Sequence, residues 1–318
     1  MQIGSSESVN VSLAHGYTSR GMLAGIGLAI AATACFATLD TTTKFISASV
    51  PLMMALWVRY ASQAIATTLV ALPARGRALL RTANPRFQVL RGMLLMGSSM
   101  FAFFSLKHMP VGEFTAVVMI APLVITLLAA VILREKVSLL RWLLVFTGFA
   151  GTLLIIRPLG AGSSGTASGW AMLLPLGLVS TNAAFQIVTS RMARTEDPLT
   201  MHFYTGWVGT LLSSLMLPFV WAADLPWQSW AGMLLMGLMG CIGHFMLILG
   251  YSRTPAAVLT PYLYAQIGFG MLGGWLIFSH LPDTWSLTGI ALIALSGAAG
   301  AWLTLREGRI PSRQPEPV

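Results

Sequence analysis

The chain has 318 residues, of which 56% are apolar and only 9% are charged, and its formal net charge is +9. Soluble domains carry roughly a quarter of charged residues, so this sequence has too little polar surface for a water-soluble fold. The composition also excludes intrinsic disorder, collagen and, with two cysteines, a disulfide-stapled scaffold. It predicts an all-α integral membrane protein, in which Lys and Arg mark cytoplasmic loops and do not indicate nucleic-acid binding.

Ten apolar segments are long enough to cross a bilayer, which takes roughly 20 residues of helix. Five of them form a first repeat over 21–157 and five a second repeat over 168–305, with a glycine- and serine-rich linker at 158–167 and tails at 1–20 and 306–318. The predicted spans are 21–45, 52–72, 87–106, 112–133, 139–157, 168–190, 199–221, 230–250, 255–279 and 285–305.

The positive charges test this number of spans. With ten spans, fifteen Lys and Arg residues lie on the side that holds both termini, and only Lys107 and Arg157 lie on the other. Lys and Arg collect in cytoplasmic loops, so both termini are predicted to be cytoplasmic.

The two repeats are similar to each other in sequence. Pro110 opens the fourth span and Pro255 the ninth, and a pair of glycines three residues apart recurs in the fifth and tenth spans. Because five is an odd number, the second repeat enters the membrane upside down relative to the first. Inverted repeats are typical of secondary transporters, which hold the substrate near the midplane between the halves. Channels and scaffolds with duplicated halves are the structural alternative.

Several local strings resemble those of EamA-type bacterial members of the drug/metabolite transporter superfamily. They are Phe36 to Asp40 running on to Lys44, Leu90-Arg91-Gly92, Met109-Pro110 with Glu113, Ala121-Pro122-Leu123, Leu133 to Val137, Arg157-Pro158 and Ala193 to Pro198. The Leu133 to Val137 string stands where the family usually has a Gly-Glu pair. The resemblance implies two inverted five-helix repeats in the bacterial inner membrane. It also implies transport of a small molecule without ATP hydrolysis or a cofactor, often export of amino acids or other metabolites.

Three ionisable side chains within the first two spans are candidate substrate ligands, since such groups are costly in a membrane. Arg59 lies about 10 Å into the second span, and Asp40 and Lys44 stand four residues apart on the first. One interpretation is that Arg59 holds a substrate carboxylate in a bidentate fork. The other is an Asp40–Arg59 ion pair that locks the two spans together, with Lys44 snorkelling outward.

Two prolines interrupt corresponding spans of the two repeats. Pro122 lies in the fourth span and Pro261 in the ninth, and each removes a helical hydrogen bond. Interrupted helices in corresponding positions predict hinges beside a transport site. Polar residues near Pro261 and on the sixth span are therefore further candidates for substrate binding, namely Tyr264, Gln266, Asn182 and Gln186.

Asp40, Glu113 and His244 are candidate groups for proton coupling. Two of them have structural alternatives: Glu113 suits the N-terminus of a helix, and a lone His244 suits hydrogen-bonded packing. No cluster of Cys and His has metal-ligand spacing, so no metal is expected. The expected partners are a small-molecule substrate, the lipid bilayer and protons, with the chain as a monomer or homodimer.

These patterns predict a secondary transporter that works by alternating access and exports an amino acid or a related carboxylate-bearing compound. Uptake of a small metabolite or cofactor by the same kind of carrier is the alternative. A channel would need a repeated pore lining, and an intramembrane enzyme would need a catalytic motif such as His-Glu-x-x-His. The sequence contains neither feature.

Overall fold

The computed structural model describes residues 19–47, 49–108, 117–156, 173–278 and 284–307, and within these ranges the chain forms helices and no strands. A 3-10 turn at Gly76–Leu80 joins the second helix to the third, and a single helical turn at Leu217–Val220 follows the seventh. The helices are α1 Ser19–Ile46, α2 Leu52–Arg75, α3 Pro85–His108, α4 Ala121–Ile132, α5 Leu139–Ile156, α6 Leu173–Met192, α7 Pro198–Ser214, α8 Trp227–Arg253, α9 Ala256–Leu263, α10 Ala265–Phe278 and α11 Thr284–Glu307.

Each of the ten predicted spans contains a helix, so the predicted all-α membrane fold is confirmed. The seventh span is shorter than predicted because its main helix ends at Ser214, and the ninth is divided into α9 and α10 at Tyr264. The linker 158–167, Glu113 and the side chain of Lys44 lie outside the described residues. By length and composition, four described helices are sufficient to cross a membrane, at Arg20–Thr43, Pro85–Ser105, Leu173–Met192 and Trp227–Arg253, and shorter apolar helices accompany them.

Many large apolar side chains point away from the bundle. Leu69, Val70, Val131 and Leu295 are each about two-thirds exposed or more. Such surfaces are unfavourable in water and suit contact with lipid chains.

The strongest helix contacts join one repeat to the other. The most extensive are those of α1 with α8, α5 with α11, α2 with α7, α3 with α6 and α1 with α10. Eight spans follow one another in a closed ring, in the order α1, α8, α2, α7, α3, α6, α4 and α9–α10, and α5 and α11 pack together outside it. Exchanging the two repeats maps this ring onto itself, as an inverted repeat requires. Because the repeats are interlocked, a conformational change must move bundles that contain helices of both.

The prolines act together with threonines at the contact between α4 and α9. Pro122 is the second residue of α4, directly after a turn at Met119–Ile120, and Pro261 lies inside α9. The Thr260 hydroxyl lies 3.2 Å from the Ala257 carbonyl, which Pro261 leaves without its helical partner, and 2.8 Å from the Thr126 hydroxyl. The Thr260 hydroxyl therefore satisfies the carbonyl that Pro261 frees, as membrane helices require.

Candidate substrate site

Arg59 is enclosed by neutral partners from three helices. Its side chain is 7% exposed, Nη1 donates to Ser99 Oγ at 3.1 Å, and Nη2 lies 3.0 Å from Nε2 of His244. The guanidinium carbon also lies 5.2 Å from the ring centroid of Tyr60, whose hydroxyl is 3.0 Å from Ser99 Oγ. Among the described residues, the Nε of Arg59 has no hydrogen-bond partner. The guanidinium is thus positioned without a carboxylate and keeps one donor unused.

The contact between Arg59 and His244 determines the tautomer of the imidazole. Arginine has donors only, so His244 must accept at Nε2 and its proton is assigned to Nδ1. Within the described part of the chain Nδ1 also lacks a partner. Arg59 and His244 therefore present two buried donors that no protein acceptor satisfies, and unsatisfied buried donors are costly.

The imidazole of His244 lies between two aromatic rings. Its ring centroid is 4.8 Å from that of Phe36 on α1 and 5.9 Å from that of Phe185 on α6. The donors of Arg59 and His244 are therefore next to apolar walls that suit the flat part of a ligand.

The predicted Asp40–Arg59 ion pair is wrong in this structure. The Oδ2 of Asp40 accepts from Nε2 of Gln266 at 2.6 Å, and the salt bridges found in the described residues do not join Asp40 to Arg59. The reason is that α8 packs on both α1 and α2: a Cβ on Gly240 would lie 3.1 Å from Arg59 Nε and 3.1 Å from Leu39 Cδ1. Arg59 consequently faces α8 and α3, although its charge still interacts electrostatically with Asp40.

Asp40 and Gln266 form a second group that joins the two repeats. Asp40 lies on α1 and Gln266 on α10, and the Asp40 side chain is exposed. It stands six residues before the end of its helix, which corresponds to about 9 Å. An exposed carboxylate within a span can receive a cationic group of a ligand.

The other polar candidates are bound to protein partners. Gln186 Nε2 donates to Asn182 Oδ1 at 2.7 Å, and the hydroxyl of Tyr251 donates to Gln186 Oε1. Tyr264 is fully buried, with its hydroxyl 3.4 Å from the Met119 carbonyl. The structure thus brings Arg59 together with His244 and Asp40 together with Gln266, and it places Asn182 with Gln186 in a third group and Tyr264 apart.

Sequence reasoning missed Arg91 and Ser99 as parts of the interior. Arg91 was counted among the loop charges, yet it is 0% exposed. Its Nε donates to Thr189 at 3.0 Å, and its Nη1 donates to Gln88 and to the Met201 carbonyl. The depth of Arg91, about 9 Å into α3, was the signal that could have revealed it.

The sequence repeat is the signal that could have revealed Ser99 as part of the site. The offset of 145 residues that relates Pro110 to Pro255 also relates Ser99 to His244. The two side chains that hold the Arg59 guanidinium therefore come from the third and eighth spans, which correspond between the two halves.

Two carboxylates bind residues of the other repeat at one end of the bundle. This is the end at which α2, α4, α6 and α8 finish, and we call it the basic end. Glu135, between α4 and α5, lies 2.5 Å from Nη2 of Arg194 and accepts from the backbone N–H groups of Ala256 and Ala257 at 3.3 and 3.0 Å. Both carboxylates lie in strings that carried the family resemblance. The second is Glu196, between α6 and α7, and it accepts from Thr82, Asn84 and the N–H of Ala83 at 2.9 to 3.2 Å.

Comparisons with known proteins agree with this architecture. The EamA-like transporter family matches residues 23–157. A riboflavin transporter of Vibrio cholerae is 28% identical over 70% of this chain and 73% of its own length. An S-adenosylmethionine uptake transporter of Rickettsia prowazekii is 26% identical over 69% and 72% of the two chains. A pseudopaline exporter of Pseudomonas aeruginosa is 24% identical over 86% and 94%.

A solved structure has the same fold. It superposes with a TM-score of 0.75, covers 91% of this chain and 99% of its own, and is 21% identical. An identity at this level supports the fold and carries no information about the substrate.

Proposed function

Since the chain belongs to the EamA-like transporters of the drug/metabolite transporter superfamily, and is therefore a small-molecule transporter, we propose that it exports an amino acid or a related carboxylate-bearing metabolite. The observation that carries the proposal is the buried guanidinium of Arg59, which has neutral partners and an unused donor.

A carboxylate is the ligand that Arg59 lacks. A buried cation without an anionic partner is unfavourable, and a guanidinium binds carboxylates through two parallel hydrogen bonds. A carboxylate that approaches the Nε–Nη2 edge replaces His244 on Nη2 and satisfies Nε. The partner that must yield is His244, a side chain that can rotate, and Ser99 can keep its hydrogen bond to Nη1.

The position of Arg59 also supports a substrate site. Because Ser99 and His244 come from corresponding spans of the two repeats, the guanidinium lies between the two halves. Secondary transporters with inverted repeats bind their substrates at this interface. Asp40 and Gln266 add a second pair of polar groups that joins the halves, and the Asp40 carboxylate suits an ammonium group. A zwitterionic amino acid offers both charges.

The mechanism that we propose is alternating access in the bacterial inner membrane, with both termini cytoplasmic. The fifteen-to-two distribution of positive charge supports this orientation. The interlocked ring implies that the moving bodies are mixed bundles and not the two sequence repeats.

Comparative metabolite analysis tests the function. Cells that produce the chain, cells that produce Arg59→Lys at the same membrane level, and cells without the chain are compared for metabolites in medium and cytosol. We expect a carboxylate-bearing metabolite to accumulate in the medium only with the unaltered chain, because an ammonium cannot reproduce the planar fork of arginine. Equal accumulation with Arg59→Lys would contradict the role of Arg59.

Uptake of a cofactor is the second candidate function. The aromatic rings of Phe36 and Phe185 beside His244 favour it, because they suit a flat heteroaromatic ligand. The names of the Vibrio and Rickettsia relatives point in the same direction. Uptake of labelled riboflavin or S-adenosylmethionine that falls with Phe185→Leu but not with Arg59→Lys would favour this candidate over the first.

A further inference from the structure

We propose that Glu135 is the latch of a gate at the basic end, and that it must release α9 and Arg194 before this end can open to a substrate. The inference rests on alternating access as proposed above. It concerns which residues keep one end closed, and it needs no assumption about the substrate.

Glu135 connects one repeat to two separate elements of the other. Its carboxylate binds Arg194 in the α6–α7 loop and two N–H groups at the start of α9. The Glu135 side chain is only 9% exposed, so these charge-assisted hydrogen bonds are shielded from water and salt. The carboxylate also opposes the positive end of the α9 helix dipole. A neutral side chain at this position loses both the ion pair and the dipole interaction.

The segment that Glu135 holds is suited to movement. α9 has eight residues, contains Pro261 and is separated from α10 at Tyr264. An N-terminal half-helix of this kind can tilt at the interruption while α10 stays in place. When Glu135 binds the N-terminus of α9, this half-helix is fixed against the α4–α5 loop.

Two further inter-repeat contacts at the basic end serve as comparisons. Glu196 holds the start of α3, a continuous helix that Arg91 also ties to α6 and α7, so this contact is an anchor. The ion pair of Arg75 with Asp197 is 3.1 Å long, and its side chains are 51% and 31% exposed. Exposed ion pairs contribute little to stability, so Arg75 provides a control at the same end.

Ser190 is a suitable reporter for opening of the basic end. It lies two residues before the end of α6 and is 0% exposed, so a cysteine there is protected while the end is closed. Met54 provides the matched reporter for unfolding. It is also 0% exposed, but it packs near the start of α2 at the opposite end of the bundle.

The experiment measures how fast a polar maleimide labels Ser190→Cys in permeabilised membranes. The background is the full chain with Cys35 and Cys241 changed to alanine, and each variant is compared at the same membrane level. We expect Glu135→Gln to raise the labelling rate by about tenfold, the factor that corresponds to a shift of about 1.4 kcal/mol in the closed-to-open equilibrium. Arg75→Gln should leave the rate within about twofold. Met54→Cys should remain unlabelled in every variant.

Three results would overturn the proposal that Glu135 is a latch. The first is an unchanged rate in Glu135→Gln, and the second is an equal rise in Arg75→Gln. The third is a parallel rise at Met54→Cys, which would mean that Glu135 only maintains the fold. None of these results depends on whether Arg59 binds the substrate, so the proposed function and the latch can fail separately.

Discussion

Arg59 and Arg91 are two arginines buried in the same bundle, and their partners differ. Arg91 is held by Thr189, Gln88 and a backbone carbonyl of α7, and its guanidinium lies 5.3 Å from the Phe185 ring centroid. Among the described residues, the hydrogen-bond partners of Arg59 are the side chains of Ser99 and His244, and its guanidinium lies 5.2 Å from the Tyr60 ring centroid. A backbone carbonyl cannot leave without moving its helix, whereas a serine and a histidine can rotate.

This difference distinguishes an arginine whose partners are fixed by the helices from one whose partners a ligand can replace. Arg91 ties α3 to α6 and α7 through groups whose positions the helices determine. Each guanidinium has one nitrogen without a partner in the described residues, Nε in Arg59 and Nη2 in Arg91, but Arg59 lies beside a histidine whose Nδ1 is also unused. Burial alone therefore does not identify a transport residue in this fold, and the proposed role of Arg59 rests on the nature of its partners.

The largest expected effect is that of Arg91→Leu on folding. The substitution removes the donor to Thr189 Oγ1 and Gln88 Oε1, whereas the Met201 carbonyl keeps the Thr205 hydroxyl. An unsatisfied buried polar group costs about 1 to 3 kcal/mol. We expect a large drop in the thermal unfolding temperature and in the membrane level. Fluorescence-detected size-exclusion chromatography after heating measures the first quantity and immunoblotting the second. A stable Arg91→Leu protein would contradict the structural role.

Arg59→Lys should affect transport and not stability, in contrast to Arg91→Leu. We expect an unfolding temperature close to that of the unaltered chain, since lysine keeps the charge, together with a loss of transport of about tenfold or more. The comparison uses Arg91→Lys at the same membrane level, where the unfolding temperature should fall. If both variants lost stability equally, the distinction between the two arginines would fail.

Asp40→Asn sharpens the proposal of a zwitterionic substrate. Asparagine can still accept a hydrogen bond from Gln266 but loses the negative charge that an ammonium group needs. We expect a loss of transport of several-fold for an amino acid and little change for a carboxylate without an ammonium group. Equal losses for both compounds would exclude a charge-specific role for Asp40.

The smallest expected effect is that of Thr260→Val, which removes the hydroxyl pair with Thr126 and keeps the shape of the side chain. The Ala257 carbonyl also loses the Thr260 hydroxyl, and a lost hydrogen bond costs about 1 kcal/mol, so the unfolding temperature should fall by a few degrees. Thr67→Val on α2 is a matched control, because Thr67 is also buried but has no link to α4 or α9. An equal fall in the unfolding temperature of both variants would contradict a special role of the α4–α9 contact.

The spans and the repeat could be predicted from the sequence, because length, apolar composition and charge asymmetry act locally along the chain. The partner of Arg59 could not, because the adjacent first and second spans suggested contact with Asp40, whereas Arg59 packs against Gly240 of α8. The same limit applies to Glu135, whose partners Arg194 and Ala257 lie far along the chain. Arg91 was counted with the cytoplasmic charges although it lies within the predicted third span, because its partners on α6 and α7 are far along the chain.

The central claim is that Arg59 binds the carboxylate of the substrate, and discrimination between an acid and its neutral amide tests it most directly. Proteoliposomes with the unaltered chain or with Arg59→Leu are supplied with the exported metabolite or its primary amide, and the initial rates are compared. The unaltered chain should prefer the acid by about tenfold or more, and Arg59→Leu should transport both compounds slowly and at similar rates. If Arg59→Leu kept the full preference for the acid, another group would bind the carboxylate and the account of Arg59 would be wrong.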